Sequence, residues 1–317
     1  MAIETTVKTR INGQEYTLTY NEASGAYEAT ITAPTETSGS NNAGIGPGVG
    51  AEAAGKGYYP VEVEVTDKAG NVSTADDTHA TLGESCQLAV LETVAPVISI
   101  GYPTAGAKLI TAKPEITFTI TDSGSGVNPE SCRLVIDGGE EIAVTATGEG
   151  ASFAGAYTPA EALADGSHTV KVYGYDFDGN KSNVATVTFT VDTVAPELTV
   201  TTPVADLITN QSAGVIAGTT SDVTSNPVTV TIELNGQDLG TIPVTDGAFS
   251  KNVTYISGKN TIVVTATDAS GKFTTVTREV ILNTVAPTIN EITITPNPAT
   301  SGATYIISVK VTDNTPV

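Results

Sequence analysis

The sequence predicts an all-β protein assembled from tandem sandwich repeats, and three recurring motifs predict it. The tetrapeptide Thr-Val-Ala-Pro stands at 93–96, 193–196 and 284–287, at spacings of 100 and 91 residues. Ahead of each copy an alternating strand runs into an Asp-x-x-Gly turn: Val61 to Asp67 with Gly70 and Asn71, Val170 to Asp176 with Gly179 and Asn180, and Ile262 to Asp268 with Gly271 and Lys272. Earlier in each repeat an apolar strand ends in Ile11-Asn12-Gly13, Ile136-Asp137-Gly138 or Leu234-Asn235-Gly236. A fixed period means repeated modules, and Asn-Gly and Asp-Gly are the strongest short-range hairpin signals because both central residues must take φ > 0. In the Asp-x-x-Gly turns the glycine supplies the left-handed residue and the aspartate caps the turn through its side-chain oxygen.

Taken in order, Tyr16 to Tyr20 and Ala26 to Thr32 follow the first hairpin, and Val61 to Val65 leads into the first Asp turn. In the later repeats the runs Ile116 to Ile120, Val170 to Tyr175, Val228 to Leu234 and Ile262 to Thr267 are rich in Thr, Val, Ile and Tyr, the residues that fit a pleated, half-buried surface. No window sustains a helical period, and the helix-permissive stretch Pro159 to Leu163 is too short to matter. The landmarks divide the chain into 1–92, 93–192, 193–283 and 284–317. The first part has too few residues before Asn12 for an opening pair of strands, and carries an insert over 35–56 rich in Gly, Ser, Asn and Ala. That insert is expected to be an exposed contact loop or a poorly ordered excursion. The last part supplies only an opening pair, around Ile292 to Thr295 and Tyr305 to Val311. A two-stranded ribbon is marginal alone, so it needs a partner or a continuation.

Seven or so short strands per repeat of about 90 to 100 residues describe tandem immunoglobulin-like β-sandwich domains in an elongated array. The chain has no Trp and its two cysteines fall in different repeats, which sets it apart from antibody-type domains. The Asp-Thr-Val-Ala-Pro junction, the Asp-x-x-Gly-Asn hairpins and the segment from Val215 to Gly236 resemble bacterial Ig-like repeats. Such modules are strung along surface adhesins and tailed-phage structural proteins, so the resemblance implies a spacer, decoration or binding role.

Acidic side chains outnumber basic ones 35 to 14 for a formal charge of −21, which repels a phosphate backbone and argues against nucleic acid as a partner. No apolar run reaches the ~18 residues of a membrane helix. Met1 to Arg10 carries Glu4, Lys8 and Arg10 where an export signal would be basic and then apolar.

The search for chemistry returns no catalytic, cofactor or metal residue that stands out. His79 and His168 sit in different repeats beside turns, and the adjacent pairs Asp76-Asp77 and Glu140-Glu141 face opposite sides of a strand. Two binding constellations remain. The first is a calcium site: Asp176, Asp178 and the junction residue Asp192 offer hard oxygen ligands, although turn chemistry accounts for the acids without an ion. The second is a sugar-stacking face at Tyr58 and Tyr59 or at Tyr173 and Tyr175, the latter two sharing a strand face as a packed row would.

The function expected from these features is a non-enzymatic structural or adhesive protein of a phage or prophage virion, with a fragment of a secreted cell-surface adhesin as the alternative. The opening Met1 to Tyr16 also resembles the start of Ig-like proteins encoded among prophage tail genes. Partners would be other virion or surface proteins, a host glycan or protein, or a second copy. A tail from Pro287 joined to another copy's start spans 43 positions up to and including Asn12, against 42 from Pro96 to Asp137 and 40 from Pro196 to Asn235. The tail therefore has the length to complete a neighbour's first repeat by strand addition.

Overall fold

The computed structural model describes residues 5–39 and 49–313. The chain divides into two compact units, 1–191 and 192–317. Residues 40–48, in the middle of the insert, lie outside the described residues.

The first unit opens with a single sheet. Its strands are β1 (Thr5–Ile11), β2 (Gln14–Asn21), β3 (Ala26–Glu28), β4 (Tyr59–Asp67), β5 (Val72–Ala75) and β6 (Gln87–Leu88), in the order β3-β2-β1-β4-β5 with β6 on β4. Asn12 and Gly13 take φ of 49° and 70°, so the β1–β2 connection is the primed turn that Asn-Gly specifies. The described flanks of the insert are packed rather than loose. Ser38 is fully buried and donates to the Val90 carbonyl, Ala53 is fully buried, and Tyr59 donates from its hydroxyl to the Glu36 carbonyl.

The same unit then forms a complete two-sheet sandwich. It comprises β7 (Val97–Tyr102), β8 (Lys108–Leu109), β9 (Ile116–Thr121), β10 (Val127–Ile136), β11 (Ile142–Ala143), β12 (Thr147–Glu149), β13 (Ser152–Tyr157), β14 (Gly166–Asp176) and β15 (Ala185–Val191). One sheet runs β11-β10-β14-β15-β8 and the other β12-β13-β9-β7. The alternation in Ile116-Thr-Phe-Thr-Ile120 turns Ile116, Phe118 and Ile120 into the space between them, where they meet Leu134, Val170, Val172 and Phe189.

The second unit repeats this plan with β16 (Glu197–Thr202), β17 (Leu207–Thr209), β18 (Ala213–Ser221), β19 (Thr229–Leu234), β20 (Gln237–Ile242), β21 (Val244–Thr245), β22 (Ala248–Thr254), β23 (Gly258–Thr267) and β24 (Phe273–Leu282). Its sheets run β17-β24-β23-β19-β20 and β16-β18-β22-β21, around Ile216, Ile232, Ile262 and Val264. The order β2-β1-β4-β5 matches β11-β10-β14-β15 and β20-β19-β23-β24. The opening sheet thus has the topology of one layer of a sandwich, and among the described residues no second sheet faces it.

The chain closes on β25 (Thr288–Thr295) and β26 (Ile306–Thr312), which pair only with each other among the described residues. Ile289 faces Val311, Ile292 faces Val309 and Ile294 faces Ile307 across the ribbon. All six remain exposed, whereas the corresponding pair Ile98–Ile120 in β7–β9 is buried. Strands lie at both places where the sequence predicts them, and among the described residues no sheet faces their apolar row.

One polar node, an exposed turn residue bonded to a buried His168 or Asn260, recurs with different chemistry. In the sandwich β7–β15, the Asp137 carboxylate accepts from Thr169 N at 2.7 Å and pairs with His168 Nδ1 at 2.7 Å. In the sandwich β16–β24, Asn235 accepts from Thr261 N at 2.8 Å and donates to Asn260 Oδ1 at 3.1 Å. Burial acts to lower the His168 pKa, but the Ala164 carbonyl and Asp137 outweigh it and hold the value above the ordinary one. His168 therefore contributes stability that is complete below its unfolded pKa of ~6.5 and is lost as pH rises through the folded value. The β7–β15 sandwich of the wild type is expected to melt at lower temperature at pH 8 than at pH 5.5 by a step that His168→Asn removes. An identical pH step in the variant would mean that His168 is not its source.

Candidate metal centres

Among the described residues two groups of three acids converge, and each is assembled from the same three places in its sandwich. Glu92 lies in the segment leading into β7, Asp122 directly follows β9, and Asp176 ends β14. Asp192 leads into β16, Asp222 directly follows β18, and Asp268 directly follows β23. Within each group every residue places a ligand oxygen within 4.8 Å of the others. Each acid first serves its own backbone, which is why it occurs there. Asp122 accepts from Gly124 N and Gly126 N, Asp222 accepts from Thr224 N and Ser225 N, and Asp176 and Asp268 close their Asp-x-x-Gly turns.

The two groups differ in how far those donors go. In the first, Asn180 donates its backbone N to Asp176 Oδ1 and its side-chain Nδ2 to Oδ2, both at 2.7 Å, while Glu92 Oε1 accepts from Ser125 N. Burial first, and then neighbouring carboxylates, raise the pKa values of both Glu92 and Asp176 above their ordinary range. The turn at Asp67 is closed in the same manner, with Asn71 Nδ2 donating to Oδ2 at 2.8 Å. In the second group the residue four after the aspartate is Lys272, which offers only its backbone N, to Oδ1 at 3.0 Å. Asp268 Oδ2 is left buried with no hydrogen-bond partner. Asp192, with no exposed surface, accepts from Val194 N through Oδ1 and likewise leaves Oδ2 buried without a partner.

The calcium constellation expected from the sequence is therefore rearranged. Asp176 groups with Glu92 and Asp122, Asp192 groups with Asp222 and Asp268, and Asp178 caps the backbone N of Glu92 at 2.9 Å. Glu92, Asp122, Asp222 and Asp268 escaped the sequence reading. The signal that could have found them is the shared 100-residue offset of Glu92 from Asp192 and of Asp122 from Asp222.

The other candidates resolve as packing. Tyr59 is fully buried and presents no ring to a sugar, because its side chain packs against Gly50 and reaches the Glu36 carbonyl. Tyr58 donates to Asp77 at 3.2 Å. Tyr173 and Tyr175 do share a face, with ring centroids 6.0 Å apart, but Lys181 Nζ sits 3.6 Å from the Tyr173 ring centroid and occupies the stacking position. His79 uses Nδ1 to accept from Leu82 N at 3.2 Å, and His168 is spent on Asp137 and Ala164. Cys86 and Cys132 are free and buried, and burial pushes the Cys132 thiol up to about 11. Among the described residues no helix is long and apolar enough to cross a membrane.

Residues 104–193 match the family model described as a bacterial Ig-like domain, and residues 196–284 match that described as glucodextranase, domain B. No curated protein sequence matches the chain. Similar solved structures include fibronectin(III)-like modules of Clostridium thermocellum CbhA, at 17% identity over 59% of this chain and 94% of that chain with a TM-score of 0.37. A three-domain Ig structure of titin is 11% identical over 88% of both chains with a TM-score of 0.46. A bacterial ice-binding adhesin is 19% identical over 89% of this chain and 88% of that chain, with a TM-score of 0.31.

Proposed function

The chain is a tandem Ig-like β-sandwich protein with a bacterial Ig-like domain at 104–193, and from that premise we propose that it is a non-enzymatic structural and adhesive protein. The observation carrying this reading is the one strand plan used repeatedly, in β1–β5, β7–β15 and β16–β24, with a packed apolar core in both complete sandwiches. Such a plan spaces and presents surfaces. We parse it as 1–92, 93–192, 193–283 and 284–317, the last part being the opening pair of a further repeat. The site of action is the particle of a tailed phage or prophage, a reading supported by the resemblance of Met1 to Tyr16 to prophage tail proteins. The second reading, a bacterial surface adhesin that binds a glycan or host protein, is favoured by the bacterial Ig-like match itself. In either setting the exposed face of β25–β26 is open to a continuation of the repeat or to a partner, whether another virion or surface protein or a second copy.

Antibodies to the whole chain, used for immunogold labelling of particles induced from the source bacterium and of its intact cells, separate the readings. Label on particles supports the virion, label on cells supports the adhesin, and label confined to the cytosol overturns both. Because of the glucodextranase domain B match, dextran and starch are incubated with the chain in parallel. Release of reducing ends would sink the non-enzymatic reading.

A further inference from the structure

We propose that Asp192, Asp222 and Asp268 bind one calcium ion. Two of these carboxylates each bury an oxygen with no donor to serve it, and such a group costs free energy unless something positive is supplied. No Lys, Arg or His among the described residues makes an ion pair with any of the three. The contrast inside the molecule is specific. Where Asn follows the turn aspartate by four, as Asn71 and Asn180 do, its amide takes the second oxygen, and where Lys272 follows, that oxygen is left for a ligand.

Geometry and ligand type select the ion. Calcium–oxygen distances of about 2.3–2.6 Å put two ligands of one ion at most about 5 Å apart, and the three ligand oxygens all lie within 4.8 Å of one another. An all-oxygen, carboxylate set suits a hard cation rather than zinc or copper. Asp192 has no exposed surface and Asp268 is 5% exposed, so a bound ion must give up much of its water, which calcium does far more readily than magnesium. The ion would join the segment entering the sandwich to the ends of β18 and β23, one strand from each sheet. The group at Glu92 has its donors in place and is not part of this assignment.

The test uses the full chain, stripped with EDTA and titrated with calcium chloride by calorimetry, with bound calcium counted by native mass spectrometry. Wild type is expected to gain a calcium equivalent and a higher melting temperature, with magnesium chloride at the same concentration giving little of either. Asp192→Asn is expected to lose that equivalent, or to weaken it by roughly tenfold or more as one charged ligand is removed. Lys272→Asn restores the amide of the other two turns, so it is expected to raise the melting temperature of the stripped chain while weakening calcium. It also covers the case in which Asp192→Asn fails to fold. Glu92→Gln should leave the Asp192-dependent equivalent unchanged. The proposal is overturned if the stripped wild type takes up no calcium, or if both Asp192→Asn and Lys272→Asn bind it as wild type does. It is equally overturned if the melting temperature of the stripped wild type does not respond to calcium. None of these readouts depends on where the protein is displayed or on whether it is adhesive.

Discussion

Phe118→Ala is expected to destabilise the β7–β15 sandwich by about 3–5 kcal/mol, the range for removing a buried aromatic from a close-packed core. Phe118 is 1% exposed and lies in β9 opposite Gly155 of β13. A Cβ built on Gly155 would stand 2.2 Å from the Phe118 ring, so the ring occupies the space that a side chain at 155 would otherwise fill. Deleting the ring leaves a hole between two sheets that cannot close, because its floor is glycine backbone. For a module of this size each kcal/mol is worth roughly 4–8 °C, so the loss should be plain in a thermal melt as well as in urea. A cost below about 1 kcal/mol would mean that the core is not packed around this ring.

The second large effect comes from adding rather than removing an atom. Gly218→Ala in β18 would place its Cβ 2.1 Å from the Thr199 carbonyl oxygen and 2.7 Å from Phe249 Cζ. The ring can swing aside, but the carbonyl belongs to the backbone of the paired strand β16 and cannot yield without spreading the sheet. Overpacking of this kind costs about 1–3 kcal/mol and sometimes more. Pairing Gly218→Ala with Phe249→Leu should recover little of the loss if the carbonyl is the obstacle. Full recovery in the double variant would show that the ring alone was responsible.

These two sites also show where the sequence was legible. Asn12-Gly13, Asp137-Gly138 and Asn235-Gly236 could be read directly, because a turn needing φ > 0 at two successive residues is a local requirement, and all six residues meet it. The strands followed from alternation, and the repeats from the Thr-Val-Ala-Pro junctions. The glycine-under-aromatic pairs were not legible. In one sandwich the ring is on β9 and the glycine on β13, while in the other the glycine is on β18 and the ring on β22, so nothing recurs at a fixed position. The acidic groups were hidden for a related reason. Each aspartate is an ordinary turn-capping residue in its own segment, and only the convergence of an entering segment with two strand ends makes a cluster of them. Tyr59 misled in the opposite direction, since only the fold shows that it is fully buried, with its hydroxyl on the Glu36 carbonyl and its ring against Gly50.

A last consequence concerns how each sandwich bears load. The short strand β8 runs parallel to β15, with Lys108 and Leu109 beside Thr190 and Val191, and β17 runs parallel to β24 over Leu207–Thr209. In each case the strand near the entry of the chain is hydrogen-bonded alongside the strand by which the chain leaves. Tension along the polypeptide pulls two such parallel strands in opposite directions along their own axes. The bonds between them are loaded together in shear, rather than opened one after another as in a hairpin pulled from its ends. Among the described residues the antiparallel ribbon β25–β26 has no such clasp, so its two strands peel apart when the chain is drawn from Asn283 and Asp313.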